Sequence, residues 1–356
     1  MNLNYKNRVD NMNKNISIED AFKLKNKIFI DVRSESEYEK DHIVNAINIP
    51  ILNDEERKEV GTLYKRLSKK EAIKLGINCV SKKLDNIYEK ISNIKEEYDN
   101  IILYCHRGGM RSNSLKDFLN SMGIDCLKLD LGYKGYRKFL RDYFETLDKE
   151  FIVLHGNTGV GKTKILEKLE SKNIDVLDLE GIAKNSGSVF GYISFDLKPP
   201  TQSYFESKLF KSLYDSKDFI VVESESKRIG RNIIPDNIFD KISNGKHYLV
   251  ESSLDSRVET LYEMYIKSSF KDEETIINSL KNLKKRIGNE KLEFLINLVK
   301  NNDYKEVIKI LIDEYYDPLY KYSIDKYEYI DILNSDDIDN VVNLIVNIYD
   351  ELKRRN

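Results

Sequence analysis

Short apolar runs alternate with longer amphipathic stretches along this chain. Residues 28–33, 100–104 and 126–131 are apolar runs bounded by polar positions, and each predicts a buried strand. Between them, residues 54–75 have a helical pattern. Leu115, Phe118, Leu119 and Met122 fall on one face of a further helix, which Gly123 ends. A second alternation begins at Phe151, with strands predicted over 151–155, 174–179, 219–223 and 247–251 and a first helix starting near Lys162. From Ser256 to Arg355 the pattern turns helical and highly charged. Strands that alternate with helices imply parallel sheets. The expected fold class is therefore α/β: a first parallel-sheet domain over 1–147, a second α/β domain over 148–255 and a helical C-terminal region over 256–356, packed on the second domain.

Composition narrows the classes. A chain of 356 residues is long enough for two or three domains with real cores. It has no apolar run long enough to span a membrane, and its first residues are polar, so the expected compartment is the cytoplasm. Three cysteines, Cys79, Cys105 and Cys126, do not make a disulfide framework. The formal charge of −2 lacks the basic excess of many nucleic-acid binders, so RNA contact would rest on local patches. The candidates are Lys227-Arg228 with Arg231, residues 281–286 and residues 353–355. For each run alone, a solvated helix face is the favoured reading.

Chemistry concentrates in two loops. Residues 104–112 read Tyr-Cys-His-Arg-Gly-Gly-Met-Arg-Ser, placing Cys105 at the end of a strand and before a helix. Converging backbone N–H groups and the helix N-terminus favour thiolate there. Gly108 and Gly109 let the backbone curl around the sulfur, while Arg107 and Arg111 offer charge-assisted contacts to an oxyanion. Cys79 and Cys126 lack such neighbours and read as small buried hydrophobes. Residues 156–163, Gly-Asn-Thr-Gly-Val-Gly-Lys-Thr, follow a strand and open a helix, which matches a phosphate-binding P-loop. Its amides, with Gly156, Gly159 and Gly161, cradle phosphates. Lys162 neutralises them, and Thr163 can ligate Mg²⁺. The later strand ends in Glu223 where an Asp is usual, which leaves nucleotide hydrolysis open; another diphosphate would satisfy the same cradle.

Asp31-Val32-Arg33, Glu37-Tyr38, His42-Ile43, Ala46 and Asn48-Ile49-Pro50, with the Cys105 loop, resemble a rhodanese domain. The five residues between Cys105 and Arg111 also match cysteine-dependent phosphatases, which usually have His where Tyr104 stands. Further segments extend the likeness over nearly the full chain: residues 54–57, 60–65, 132–137, 178–181, 187–191 and 223–230, Gln202, Phe205-Glu206, and Tyr315-Tyr316-Asp317-Pro318-Leu319-Tyr320. Together they resemble the tRNA 2-selenouridine synthase family. Residues 183–186 are less basic than is usual there.

The resemblance implies a transferase that replaces the sulfur of wobble 2-thiouridine in tRNA with selenium from selenophosphate. A geranylated intermediate is made from geranyl diphosphate. By position, Cys105 is the selenium-carrying nucleophile, and Arg107, Gly108, Gly109 and Arg111 hold selenophosphate. The P-loop holds the diphosphate, and Glu223, Lys227 and Arg228 form either a second site or a structural ion-pair cluster with Glu225. No cofactor is expected to be tightly bound. Partners are the tRNA, held in part by the C-terminal helices, and a selenophosphate synthetase as donor. Tyr315-Tyr316 reads as core before it reads as a base-stacking platform. Two other readings remain: a rhodanese-type sulfurtransferase fused to a nucleotide-binding kinase or NTPase, and a non-catalytic RNA-binding scaffold, which the intact Cys105 argues against.

Overall fold

The computed structural model describes residues 15–185, 199–267 and 273–355, and the chain divides into two units, Met1–Thr146 and Leu147–Asn356. In the first unit the predicted apolar runs become strands. They are β1 (Asn15–Ile16), β2 (Lys27–Asp31), β3 (Ile47–Asn48), β4 (Asn100–Tyr104) and β5 (Leu127–Leu129). They form one parallel sheet in the order β1-β5-β4-β2-β3. Ile30 pairs with Leu103 and Asp31 with Tyr104, so β2 and β4 end side by side. Ile30, Ile101, Ile102 and Leu103 are fully buried, as expected of a sheet covered on both faces.

Three local expectations change here. The helix expected over 54–75 is two helices, Asp54–Arg66 and Lys69–Ser81, because the Ser68 hydroxyl accepts a hydrogen bond from the Glu71 N–H (3.3 Å) and caps a new start. Met122 lies beyond the helix Met110–Ser121 and is exposed, so it is not part of that helix's buried face. The strand expected over 126–131 covers only Leu127–Leu129, and Leu131 takes left-handed backbone (φ 56°) before the next helix.

The second unit holds β6 (Glu150–His155), β7 (Val176–Leu177), β8 (Phe219–Glu223), β9 (Arg228–Ile229), β10 (Asn232–Ile233), β11 (Lys246–Glu251) and β12 (Asp331–Asn334). The main sheet is parallel in the order β12-β11-β6-β8-β7, and β9 with β10 is a separate antiparallel pair. Residues 174–179 form only β7, because the Asp178 side chain caps the helix Leu179–Ala183. The region from Ser256 is not wholly helical: β12 pairs with β11 and completes the sheet. Only Leu333 of its four residues is buried, so its sequence carries no strand periodicity.

The helix Ile338–Arg355 sends Val341, Val342, Ile345 and Tyr349 into the same core as Ile165 and Leu166. The other C-terminal helices close a second core around Leu280, Leu295, Val299 and Ile312. Strand β6 lies between β8 and β11, a switch point at whose carboxyl end ligands bind in open α/β sheets. Among the described residues, no helix is long and apolar enough to cross a membrane.

Candidate functional site

Cys105 follows β4 directly and is 3% exposed. The Ser112 hydroxyl donates to its Sγ at 3.2 Å, and Ser112 is itself fully buried at the start of the helix Met110–Ser121. The loop is held from behind. Tyr133 N–H donates to the Cys105 carbonyl (2.9 Å) and Lys134 N–H to that of His106 (3.0 Å), while Lys128 Nζ donates to the Gly108 carbonyl (3.0 Å). Gly108 takes φ +63° inside the loop, and Gly109 is the N-cap of the following helix.

Gly132 is tightly confined: a Cβ there would stand 2.1 Å from the Cys105 carbonyl oxygen, at φ +54°. Gly132→Ala is therefore expected to lower stability by about 1–3 kcal/mol or more, since a left-handed non-glycine residue already costs that much. It should also displace the Cys105 loop. Denaturant unfolding and the rate of Cys105 alkylation together check this; an unchanged alkylation rate would argue against it.

The two arginines of the loop differ. Arg107 is exposed. Arg111 is paired with Glu37, with Nη1 to Oε2 at 2.8 Å, and Arg57 reaches the same carboxylate at 3.4 Å. Burial raises the Glu37 carboxyl, but the hydrogen bond and charge of Arg111, with Arg57 and Arg33, outweigh it and hold it at about 2. Arg111 is thus already positioned by a carboxylate.

The Asp31-Val32-Arg33 segment is buried structure. Arg33 pairs with Asp31 at 2.6 Å, donates to the Asp41 carbonyl at 2.6 Å and lies over the Tyr133 ring. Cys126 is buried in the core, and burial pushes its thiol up to about 12. Cys79 packs partly buried against the same core.

In the second unit, the chain turns out of β6 at Gly156, where a Cβ would stand 2.4 Å from the Val250 carbonyl of β11. Gly159 and Gly161 are also left-handed (φ +87° and +85°), and Lys162 opens the helix Lys162–Ser171. Lys162 Nζ donates to the Gly156 carbonyl at 2.7 Å, bent back over its own loop. With Thr163 it lines a cavity of about 300 Å³. Across that cavity stand Asp178, Glu180, Glu223 and Glu225. Glu223 Oε1 accepts from the Glu180 N–H at 3.4 Å. Burial, then Glu180, raise both the Glu223 and Glu225 carboxyls, Glu225 to about 8, and Lys162 opposes the shift in each.

Of the proposed second-site residues, Glu223 faces the cradle, while Lys227 pairs with Asp236 at 2.7 Å and is partly exposed. Arg228 lines a second, larger cavity of about 640 Å³. That cavity is rimmed by Tyr315, Tyr316, Tyr320, Tyr322 and Tyr327, and Arg286 enters it with its guanidinium donating to the Tyr315 hydroxyl at 2.8 Å. Arg286, in the 281–286 run, is thus part of a cavity wall as well as of a helix face. Tyr316 is buried in the core.

Arg257 carries no local motif. It is buried, donates from Nε to the Thr158 carbonyl (2.9 Å) and grips Asp317 with both guanidinium nitrogens. Asp317 lay inside the Tyr-Tyr-Asp-Pro segment, which was the available signal. Residues 187–191 of the resemblance lie outside the described residues.

Comparison with known proteins agrees with this arrangement. The model of the tRNA 2-selenouridine synthase AAA domain matches residues 149–350, and that of the rhodanese-like domain matches residues 17–139. The tRNA 2-selenouridine synthase of Hydrogenovibrio crunogenus is 32% identical over 335 residues, covering 85% of this chain and 91% of that protein. That of a Sulfurovum species is 32% identical over 335 residues, covering 85% and 90%. Among solved structures, the N-terminal domain of a putative ATP/GTP binding protein from Clostridium difficile 630 is 50% identical. It covers 36% of this chain and 98% of that one, with a TM-score of 0.35. With both family models in order and relatives similar over most of its length, this chain belongs to the tRNA 2-selenouridine synthase family.

Proposed function

We propose that this protein exchanges the sulfur of wobble 2-thiouridine in tRNA for selenium in two steps, in the cytoplasm, with selenophosphate from a selenophosphate synthetase as donor. In the first step the thiocarbonyl sulfur attacks C1 of geranyl diphosphate. The C1–O bond breaks, diphosphate leaves into the Gly156–Gly159–Gly161 cradle under Lys162, and N3 gives up its proton. This converts a poor leaving group into a thiolate that can leave.

In the second step selenium adds at C2, the C2–S bond breaks and the geranylthiolate takes a proton. The phosphoryl group of the donor passes to water. Selenium enters and leaves at the level of selenide, so the exchange carries no net redox change. Cys105 is the nucleophile that takes the donor apart. Its thiolate attacks phosphorus, the P–Se bond breaks and hydroselenide is delivered from the loop to C2; water then cleaves the S–P bond to free the thiol. Arg107, Gly108, Gly109 and Arg111 hold the donor's oxyanion. Thr163, a hydroxyl oxygen beside Lys162 in the same cavity, fits a Mg²⁺ that would neutralise the diphosphate. The C-terminal helices contact the tRNA.

The observation that carries this reading is a buried thiol at the head of a glycine-rich loop in one unit and a lysine-capped phosphate cradle in the other, within one chain of this family. Mass spectrometry of 2-thiouridine tRNA incubated with the protein, geranyl diphosphate and selenophosphate tests it. Selenouridine, with geranylated 2-thiouridine when selenophosphate is withheld, is the expected result. Unchanged tRNA, together with binding of ATP and Mg²⁺, would replace it with the sulfurtransferase–NTPase reading.

A further inference from the structure

The two cavities of the second unit share a wall. Glu225 and Tyr320 line both the phosphate cradle and the tyrosine-rimmed cavity, and His155 and Gly156, at the end of β6, line the latter. A group held in the larger cavity therefore stands beside a diphosphate in the smaller one, with a carboxylate between them.

We propose that the tyrosine-rimmed cavity receives the 2-thiouracil nucleotide extruded from the anticodon loop. We propose further that Glu225 is the base that takes its N3 proton as the sulfur acquires the geranyl group. This rests on the reading of the cradle as the geranyl diphosphate site. The chemistry demands such a base: alkylating a thiocarbonyl sulfur leaves a cation unless the adjacent N–H is lost. The S–C1 bond forms, the C1–O bond breaks, the proton goes to Glu225 and the electron pair leaves with diphosphate toward Lys162.

The lining suits a single-stranded nucleotide. Beside the buried Tyr316, the rings of Tyr315, Tyr320, Tyr322 and Tyr327 line the cavity as aromatic surface for a base, and Arg228, Arg286 and Lys326 offer positive charge to its flanking phosphates. Arg286 is held in place by its hydrogen bond to Tyr315. A base flipped from a loop that is already single-stranded loses little stacking on entry. The volume of about 640 Å³ leaves room for a nucleotide and the first part of a prenyl chain.

The groups around Glu225 come from several elements: Lys162 from the helix after the cradle, Asp178 and Glu180 from the helix Leu179–Ala183 and its cap, Glu223 from β8, His155 from β6 and Arg228 from β9. Burial and then Glu180 raise the Glu225 carboxyl, against Lys162, to about 8, within the range in which a general base is effective. Below that value the group keeps its proton and cannot accept another, so geranylation should rise with pH through it.

The test uses the full-length protein, 2-thiouridine tRNA and geranyl diphosphate. Glu225→Gln keeps the shape of the side chain. It should lower the geranylation kcat by about 10²-fold or more and abolish the rise with pH. Calorimetric binding of inorganic diphosphate should be no weaker than in the wild type, since a carboxyl group of the cradle wall is lost, and selenation of pre-geranylated tRNA should continue. Tyr322→Ala, at an exposed rim position, should raise KM for tRNA about tenfold with kcat retained. Wild-type geranylation by Glu225→Gln would overturn the assignment, as would a loss that merely follows lost diphosphate binding. If Tyr322→Ala leaves KM unaltered, the cavity is not the nucleotide site. If the wild-type protein binds diphosphate but transfers no geranyl group, the functional reading itself falls, and this inference falls with it.

Discussion

Cys105→Ala is expected to geranylate 2-thiouridine tRNA at the wild-type rate and to make no selenouridine, so that the geranylated nucleoside accumulates. The substitution removes only Sγ. The hydrogen bonds that shape the loop run through backbone carbonyls, from Tyr133 to Cys105 and from Lys134 to His106, and they survive it. The Ser112 hydroxyl loses one partner but keeps the Gly109 carbonyl at 3.4 Å. The cost in stability is about 1 kcal/mol, too little to unfold the unit. Loss of the reacting atom itself lowers selenation by at least about 10³-fold. Nucleoside mass spectrometry separates the two products. Selenouridine formed at the wild-type rate would remove Cys105 from the reaction.

Lys162→Ala should have the reverse signature: geranylation falls by about 10²–10³-fold, while selenation of pre-geranylated tRNA continues. The size follows from the charges in the cradle. Lys162 is the cation that opposes the mutual repulsion of Glu223, Glu225 and their acidic neighbours. Without it a diphosphate must enter a cavity lined by carboxyl groups, with no charge to receive the developing leaving group. The Glu225 carboxyl would also rise further, because Lys162 lowers it. Equal loss of both activities in this variant would detach the cradle from the prenyl step.

How much of this was legible in the sequence depended on distance along the chain. Both loops were readable because their chemistry is local: Cys105 with Gly108 and Gly109, and the three glycines before Lys162, are fixed by a few residues of spacing and by backbone that only glycine adopts easily. The buried strands were readable because a sheet covered on both faces is apolar at nearly every position. The partners of those loops were not readable. Glu37, which holds Arg111, is 74 residues away, and Arg257 reaches Thr158 across 99 residues and Asp317 across 60. No periodicity encodes such pairs. The basic run at 281–286 looked like an ordinary solvated face because the tyrosine that Arg286 meets lies 29 residues downstream. Strand β12 was hidden for a different reason: an edge strand with a single buried residue has no pattern to detect.

That edge strand also bears on how the protein is made. β12 pairs with β11 across some 80 residues of intervening helices, and the helix that follows it fills the core under the phosphate cradle. While the chain is still emerging from the ribosome, β11 has an open edge and the helix Lys162–Ser171 lacks the residues that cover it. The first unit carries all its strands within Met1–Thr146 and can close early. The second must wait for residues 331–355, and parallel pairing over such a separation is slow. A transcript cut short before residue 331 would release a product with a finished thiol loop and an unfinished sheet, exposing the P-loop unit to proteases.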